Sequence, residues 1–421
     1  MFQKQRSLYL TLICTWLGAI LAATPVFYFA MPGHSLADAF MESAAAWTTT
    51  GIGAYDSSEM PLWVSLFRSV LNWIGGVGIL MVFISIFKPR RFMGWKLAAA
   101  EFPGPDYLKV ETDFRMYYRR IVEIYAGLSV LQFILLLIAG MAPADAIMTA
   151  LSNTVTAGLH HINNGVVTSL SLPLKIIITF FAFAGSVSAP LYVYLTRKKW
   201  HKIKDSSELI AYAAQIIITT VIICGFIEAF HRGSALLPNM GAALMQVISS
   251  LSTSGYVISD VGKWPHACIV IIVLQVFVGA CSLSTGGGIK VGRVVIASKT
   301  SFNNLYRHVH PRSVRSLTFD QKPIKSEYVA SANIFIALFM ITYLLGALLL
   351  SLDNISLADA LNYSQAMITN SGISLASLTN AGLAVRFSAY GRSVLAIIMI
   401  AGRLEIYPLL MLFFRGFWRS E

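Results

Sequence analysis

Long apolar runs are the feature of this sequence that most limits its fold. Examples are 8–31, 125–141 and 332–352, and a helix needs about 20 predominantly apolar residues to cross a bilayer. Only 12% of the residues are charged, about half of the roughly 25% found in soluble domains. A β-barrel would instead show short alternating segments. The sequence therefore predicts an all-α protein that crosses a lipid bilayer several times.

The N-terminal segment and the cysteines fit this class of protein. Lys4 and Arg6 precede the first apolar run as in a signal peptide, but the run is long and seven further spans follow it. We interpret it as the first membrane helix. The cysteines lie in or beside apolar segments without metal-like spacing and are expected to be buried, unreactive thiols; they are Cys14, Cys224, Cys268 and Cys281.

The net charge of +12 follows the membrane topology. Basic residues concentrate at 4–6, 88–120, 197–204 and 299–325, whereas 31–61, 141–174, 233–262 and 353–385 contain neither Lys nor Arg. This alternation is what the positive-inside rule predicts. We expect the basic segments and both termini to face the cytoplasm, and no nucleic-acid partner is needed to explain the charge.

Each stretch without basic residues contains a related segment. The segments are 36–53, 143–161, 240–257 and 357–374, and each ends in small hydroxyl or amide residues followed by a glycine: Gly51, Gly158, Gly255 and Gly372. Repetition of this kind indicates copies of one structural unit. We divide the chain into units 1–96, 97–204 and 205–300, and a fourth unit, 301–421, that begins with a cytoplasmic linker.

Each segment is too short to cross the membrane. An Asp stands thirteen residues before the glycine in three copies, and Ala242 replaces it in the third; we expect Asp38, Asp145 and Asp359 to cap helix N-termini. About ten helical residues follow, or roughly 15 Å, which is half a bilayer. The sequence predicts eight membrane-spanning helices and four re-entrant half-helices in repeats of one direction, with pseudo-fourfold symmetry.

The end of each half-helix has the chemistry of a cation ligand. Irregular backbone at membrane depth survives where it lines a water-filled cavity or is buried in protein, and outward-turned carbonyls replace the hydration shell of a cation. The alternative is external loops with ordinary Ser/Gly turns. The predicted filter residues are Thr49, Thr50, Gly51, Thr156, Ala157, Gly158, Thr253, Ser254, Gly255, Asn370, Ser371 and Gly372.

The second span of the third unit contains a run that disfavours helix. Three adjacent glycines within 281–288 predict a flexible loop in mid-membrane below the filter; the residues are Gly279, Ser282, Ser284, Thr285, Gly286, Gly287 and Gly288. The spacing and context of a phosphate-binding loop are missing. The alternative is a small-residue surface for close helix packing.

The fourth unit places ionisable residues inside an apolar segment. Arg403 and Glu405 precede Pro408, which is expected to bend the helix. Because buried charges in membranes usually face a bundle interior or a water path, Arg403 is predicted to form an electrostatic barrier below the filter. Alternatively, Arg403 neutralises Glu405 or stabilises half-helix C-termini.

Charged residues also fall near the predicted outer mouth. Glu42 and Asp260 could attract cations there, and His160 and His161 could make uptake pH-sensitive. The ordinary alternative for each is a solvated residue or a local helix charge.

These motifs resemble the TrkH/KtrB/HKT superfamily of potassium transporters. The resemblance rests on the four glycine segments, on "CSLSTGGGIKV" and on "GRLEIYPLLML", and it covers essentially the whole chain, with a length closer to KtrB. It implies that the four glycines form a potassium filter, that 279–288 is the gating loop and that Arg403 is the arginine beneath the filter. In the family, Ser in place of the first glycine goes with sodium permeation, so Gly51 favours potassium.

The resemblance also implies partners and a location. Family members form homodimers and bind a cytosolic ring of TrkA- or KtrA-type nucleotide-binding subunits, for which the basic segments are the expected docking surface. The transported ion would be potassium, with no organic cofactor in this chain, in a bacterial or archaeal plasma membrane. No catalytic constellation indicates an enzyme.

Two segments depart from the pattern and keep alternatives open. "TVTAGLHH" has two histidines after its glycine, and Asn370 interrupts the hydroxyl pattern of "ITNSGIS". Either could weaken discrimination against sodium. A sodium-permeable or non-selective cation pathway is therefore the first competitor, and a secondary transporter of different architecture is the second.

Overall fold

The computed structural model describes residues 2–85, 114–158, 161–162, 165–230, 236–312, 316–324, 326–373, 387–414 and 418. The boundary predicted between 96 and 97, most of the basic segment 88–120 and His160 lie outside these residues. The boundary predicted at 204/205 falls between two helices, and the one at 300/301 falls inside a helix that covers 291–309.

Four long apolar helices lead the four predicted units. They are α1 (Phe2–Ala30), α4 (Phe114–Ile138), α9 (Ser207–Phe230) and α13 (Ser326–Ser351). Among the described residues these four helices are long and apolar enough to cross a membrane. The number rises to five if one bent helix pair is counted as a single span.

A short helix packs against each long one, as the sequence predicts. These are α2 (Leu36–Trp47), α5 (Pro143–Asn153), α10 (Leu236–Leu251) and α14 (Leu357–Ile368). At 1.5 Å per residue, α2 is about 18 Å long, which is too short for a bilayer core of about 30 Å. Helices of this length end inside the protein instead of crossing it.

The second helix is broken in three of the four units. α3 (Leu62–Ser85) is continuous, whereas α6 (Leu172–Ser186) meets α7 (Ala189–Thr196) at 94°. α11 (His266–Val278) ends before the predicted loop, and α12 (Val291–Val309) follows it; α15 (Ala389–Arg403) is followed by α16 (Tyr407–Met411). The break before α16 precedes Pro408: Glu405 and Ile406 have φ values of 59° and 61°.

The same helices join neighbouring units. α3 packs on α5, α6 packs on α10, and α15 packs on α2. The 279–290 loop contacts the fourth unit, since a Cβ atom added to Gly287 would meet the backbone of Thr369. Each unit therefore contacts the next through its second half, and the fourth contacts the first.

The remaining elements are small and lie near basic segments. α8 (Trp200–Lys204) follows α7, and β1 (Thr318–Phe319) pairs antiparallel with β2 (Lys322–Pro323) between α12 and α13. Phe319 is buried against Ile296 of α12 and Ala332 of α13. The hairpin is therefore fixed to the helices on both sides of it.

The prediction that Asp residues are N-caps needs correction. The N-cap of α2 is Ser35, and Asp38 is the third helical residue of a capping box, with its carboxylate accepting from the Ser35 N–H. Ser356 is the N-cap of α14, and its hydroxyl accepts from the Asp359 N–H at 3.1 Å. Asp145 lies in the first turn of α5 without a side-chain cap. The carboxylates still suit the positive helix ends.

Candidate ion pathway

The four short helices end with the same backbone motif. The residue two before each glycine has a left-handed backbone: Thr49 (φ 56°), Thr156 (56°), Thr253 (57°) and Asn370 (51°). Its N–H donates to the carbonyl three residues earlier. The N–H of the next residue donates to the carbonyl five residues earlier, for example Thr50 N to Ala45 O at 2.9 Å. This is a Schellman motif, in which glycine usually takes the left-handed position.

Three of these left-handed residues are threonines, which makes the geometry unusual. A β-branched residue in this region is a real outlier, and such strain costs about 1–3 kcal/mol and clusters at functional sites. The helix signals in the sequence indicate where each short helix ends. They do not reveal that a threonine adopts the conformation expected of glycine.

Hydroxyl groups brace three of the four ends. The pair consists of the residues three and one before the glycine. In the first unit the hydroxyl oxygens of Thr48 and Thr50 are 2.8 Å apart, and in the third unit those of Ser252 and Ser254 are also 2.8 Å apart. In the fourth unit Thr369 donates to Ser371 at 3.0 Å. The second unit has Val155 and Ala157 at these positions. Its departure from the pattern is thus the missing hydroxyl pair as well as the histidines.

The four glycines meet around one point. A Cβ atom added to Gly158 would lie 3.3 Å from Gly51 Cα, one added to Gly255 would lie 3.7 Å from it, and one added to Gly372 would lie 2.6 Å from it. We call residues 49–51, 156–158, 253–255 and 370–372 the central segments. The structure brings all twelve predicted residues together.

Carbonyl oxygens from three central segments border this point. Cβ atoms added to neighbouring glycines would approach Ser371 O at 3.1 Å, Ser254 O at 2.6 Å and Ala157 O at 3.8 Å. The corresponding Thr50 O accepts from Arg68 Nη2, at a long 3.5 Å. The described residues contain no group of three or more His, Cys, Asp or Glu side chains that could hold a metal ion.

Asn370 connects the fourth central segment to the first. Its Nδ2 donates to Thr50 Oγ1 at 3.1 Å and to Met399 O at 2.9 Å. The interruption of the hydroxyl pattern is therefore a bridge between two segments.

The predicted 279–288 loop lies directly against the central segments. No helix covers residues 279–290, and Gly279 and Gly288 have φ values of 74° and 82°. Gly287 N donates to Thr253 Oγ1 at 2.8 Å, and the Thr285 hydroxyl is 3.3 Å from that of Thr156. An added Cβ on Gly286 would meet Ser252 O at 2.9 Å. The small residues thus permit both the irregular backbone and its close packing.

Arg403 ties this loop to α3. Its Nη1 donates to Thr285 O at 2.6 Å, and its Nη2 donates to Gly75 O at 3.1 Å and Gly76 O at 3.4 Å. Glu405 pairs with Arg293 of α12 at 2.6 Å. Arg403 thus donates to a carbonyl of the loop and to two carbonyls within α3. Neutralisation of Glu405 is accounted for by Arg293.

Sequence reasoning missed two residues that hold the loop. Glu208, buried in the first turn of α9, accepts from Ser282 N at 2.7 Å and Gly292 N at 2.9 Å. Lys290, buried and with a φ of 81°, donates to Gly286 O. A charge in the first turn of an apolar helix resembles an ordinary dipole interaction, so nothing in the sequence distinguishes Glu208.

Residues predicted at the outer mouth have different surroundings. Asp260 forms an exposed ion pair with Lys263 at 2.7 Å. Glu42 is fully buried and pairs with Arg68 at 2.5 Å, so the interpretation of Glu42 as a solvated mouth residue is wrong. His161 Nε2 lies 3.1 Å from Thr149 Oγ1. Burial, and then the charge of Arg68, lower the pKa of His161 from 6.5 to about 3, so its ring is neutral at physiological pH.

The fold and this site define a class of protein. It is an α-helical membrane protein in which four half-length helices end in oxygen-lined segments that meet at one point. The model of the TrkH family, described as cation transport protein, matches residues 3–418. The chain therefore belongs to the TrkH family.

Curated relatives and a solved structure agree with this assignment. The chain is 27% identical to the Trk system potassium uptake protein TrkH of Salmonella typhimurium, over 99% of this chain and 87% of that protein. It is 26% identical to TrkG of Escherichia coli, over 99% and 86%. The crystal structure of the potassium transporter TrkH from Vibrio parahaemolyticus has the same fold, with a TM-score of 0.85 at 23% identity, over 98% and 86% of the two chains.

Proposed function

We propose that this protein conducts potassium ions across the membrane through the four central segments. The observation that carries the proposal is the meeting of Gly51, Gly158, Gly255 and Gly372 at one point, each after the same helix-ending motif. Backbone carbonyls arranged around an axis replace the hydration shell of a monovalent cation. The names of the curated relatives, potassium uptake proteins, support potassium as the ion.

The proposal includes the arrangement of the whole chain. Four fused units, each with two spans and a half-helix, would surround the pathway with pseudo-fourfold symmetry. The cyclic packing of α3 on α5, α6 on α10 and α15 on α2 supports this arrangement. The helix C-termini at the centre favour a cation because their dipole ends are negative.

We further propose that residues 279–288 close the pathway from below. The loop contacts Thr156 and Thr253 of two central segments and is held by Arg403. Movement of the loop would open the route, and Arg403 would restrict how many cations occupy the sites above it. Inward movement would be driven by the membrane potential.

The predicted partners remain proposals. They are a second copy of the chain and a cytosolic TrkA- or KtrA-type nucleotide-binding subunit, in a bacterial or archaeal plasma membrane with both termini cytoplasmic. The basic segments 197–204 and 299–325 support a docking surface for such a subunit. The β1–β2 hairpin lies within the second of these segments.

Uptake into proteoliposomes tests the proposed function. The purified chain is reconstituted under an inside-negative potential, and potassium and sodium uptake are measured beside a Gly51→Ser variant. We expect potassium-selective uptake, with reduced selectivity in the variant. Equal uptake of both ions by the native chain would favour the non-selective pathway.

The non-selective alternative has a specific observation in its favour. The end of the second short helix has Val155 and Ala157 where the others have hydroxyl pairs, so it offers fewer oxygens. Replacing both with threonine and serine would then increase the potassium-to-sodium ratio. An unchanged ratio would remove this argument for poor selectivity.

A further inference from the structure

The residue nine positions before each central glycine is not assigned any role by the motifs above. These residues are Glu42, Thr149, Gln246 and Tyr363, one on each short helix, and all four are buried. Their chemical types differ, so a comparison of the repeats by residue type does not reveal the position. Their contacts do.

Three of the four contact the same position in the chain, two through its backbone N–H and one through its side chain. Each contacts the residue three after its own glycine: Glu42 Oε2 accepts from Ala54 N at 2.7 Å, Gln246 Oε1 accepts from Ile258 N at 3.0 Å, and Thr149 Oγ1 lies 3.1 Å from His161 Nε2. In the fourth unit the residue three after Gly372 lies outside the described residues. A repeated side chain thus fastens the outer end of three central segments to their own short helices.

The first unit makes this contact with a buried ion pair. Glu42 and Arg68 are 2.5 Å apart, and the exposed fractions of their side chains are 0% and 4%. Glu42 also accepts from Tyr55 N at 3.3 Å. Its carboxylate lies directly below Gly53, where an added Cβ atom would be 2.7 Å from Oε1. The carboxylate therefore holds the backbone immediately after Gly51.

The same pair acts on the carbonyl next to the central point. Arg68 Nη2 is 3.5 Å from Thr50 O, the carbonyl that precedes Gly51. The orientation of this peptide group therefore depends on where Arg68 lies. Arg68 in turn is held by Glu42, because a buried guanidinium without a carboxylate is strongly disfavoured.

The third unit shows that a neutral side chain can occupy the position. Gln246 contacts Ile258 N and Tyr256 O without a charge. The helix that follows the central segment is α3 in the first unit and α11 in the third. Its seventh residue is Arg68 in α3 and Ile272, fully buried, in α11. The first unit thus carries an ion pair where the third has a glutamine and an apolar residue.

We propose that Glu42 and Arg68 are positioning residues that set the ion selectivity of the first central segment. The inference rests on the proposed function. Glu42 fixes the backbone after Gly51, and Arg68 controls the direction of the Thr50 carbonyl. Neither residue touches the ion, and neither acts as a surface charge, because both are buried.

The test compares uptake ratios among four proteins in proteoliposomes: the native chain, Glu42→Gln, the Glu42→Gln/Arg68→Met double variant and Glu59→Gln. Glu42→Gln leaves Arg68 buried without a carboxylate, and the potassium-to-sodium uptake ratio is expected to fall about tenfold, equivalent to ~1.4 kcal/mol. The double variant resembles the third unit and is expected to regain part of the ratio. Glu59, an exposed acid near the outer mouth, is the matched control.

Each outcome decides the inference. A native chain that is selective for potassium, together with an unchanged ratio in Glu42→Gln, would overturn the positioning role and leave the proposed function intact. A native chain without potassium uptake would overturn both. An equal loss in Glu59→Gln would assign the effect to surface charge and contradict the proposal.

A second readout covers a variant that folds poorly. The melting temperature of each purified protein is measured in potassium and in sodium. Potassium is expected to stabilise the native chain more than sodium does, and this difference should shrink in Glu42→Gln and partly return in the double variant. Uniformly lower melting temperatures with the same difference between ions would show that the pair only stabilises the fold.

Discussion

The glycines at the central point differ in how well they would tolerate a side chain. Gly372 has a φ of 65°, and a Cβ atom there would lie 2.6 Å from Gly51 Cα and 2.7 Å from Gly51 C. Gly51 is not among the glycines with a positive φ, and its added Cβ would meet Ser371 O at 3.1 Å, a tight contact. The four glycines are equivalent in sequence but not in the space around them.

This difference predicts unequal effects of one substitution. Gly372→Ala forces both a left-handed alanine and a backbone collision, so we expect it to lower the free energy of unfolding by about 1–3 kcal/mol or more. Gly51→Ala should cost less. Thermal unfolding of the two purified variants in the same detergent checks this order, and equal melting temperatures would contradict it.

His161 predicts a pH effect on stability. Its pKa is lowered to about 3 by burial and by Arg68, and the backbone near Asp145 opposes the shift slightly; the ordinary value is about 6.5. Between these values the unfolded chain binds a proton that the folded chain does not, so stability falls as the pH decreases from 7 to 5.

Replacement of this histidine tests the sign of the effect. His161→Gln keeps a hydrogen-bonding group beside Thr149 and should reduce the fall in melting temperature between pH 7 and 5. Because the ring stays neutral in the folded protein, potassium uptake should have the same pH dependence in both proteins over this range. A steeper fall in melting temperature for the variant would show that His161 is charged in the fold.

At the scale of elements, the repeated segments and the glycine run of the sequence correspond to short helices and to a stretch, 279–290, that no helix covers. The glycine run at 286–288 and the repeated segments were sufficient signals, because glycine and hydroxyl residues disfavour helix in a recognisable way. The break between α6 and α7 was missed, although Pro190 is near it. The capping role of Asp38 was misplaced by three residues, since serine and aspartate share one capping box.

The 279–288 loop is held from both sides by groups that sequence patterns do not identify. Glu208 receives the N–H groups of Ser282 and Gly292, so one carboxylate joins the start of the loop to the helix after it. Next to Glu208, Ser207 and Asp320 exchange hydrogen bonds of 2.7 and 2.9 Å. The β1–β2 hairpin therefore contacts the same helix end that holds the loop.

Removal of the Glu208 carboxylate should loosen the loop. Glu208→Ala leaves two buried N–H groups without this acceptor, a cost of about 1–3 kcal/mol for each unsatisfied group. We expect faster potassium uptake and faster reaction of Cys281, a fully buried thiol in the loop, with a thiol reagent, measured by peptide mass spectrometry.

A conservative variant is the control for this experiment. Glu208→Gln retains an oxygen that can accept both N–H groups, so Cys281 labelling should remain close to that of the native chain. If Cys281 reacts equally slowly in all three proteins while uptake is unchanged, Glu208 does not restrain the loop.

At the scale of the whole molecule, the sequence indicates the class of protein and the order of its units. It does not indicate how the four units meet around one point. Charge alternation and apolar runs were sufficient for a helical membrane protein, because the bilayer allows few alternatives. The convergence of Gly51, Gly158, Gly255 and Gly372 depends on contacts between units far apart in the chain. So do the bridge from Asn370 to Thr50 and the carbonyl contacts of Arg403. No local pattern specifies such pairs.

The central claim is that a cation binds where the four central segments meet. Crystals of the protein grown in rubidium or thallium salts, with data collected at the absorption edge of that ion, test this claim most directly. We expect an anomalous peak among the carbonyl oxygens of Ala157, Ser254 and Ser371, weakened when sodium replaces the heavy ion. Strong peaks elsewhere in the protein, and none between these oxygens in a chain that transports potassium, would contradict it.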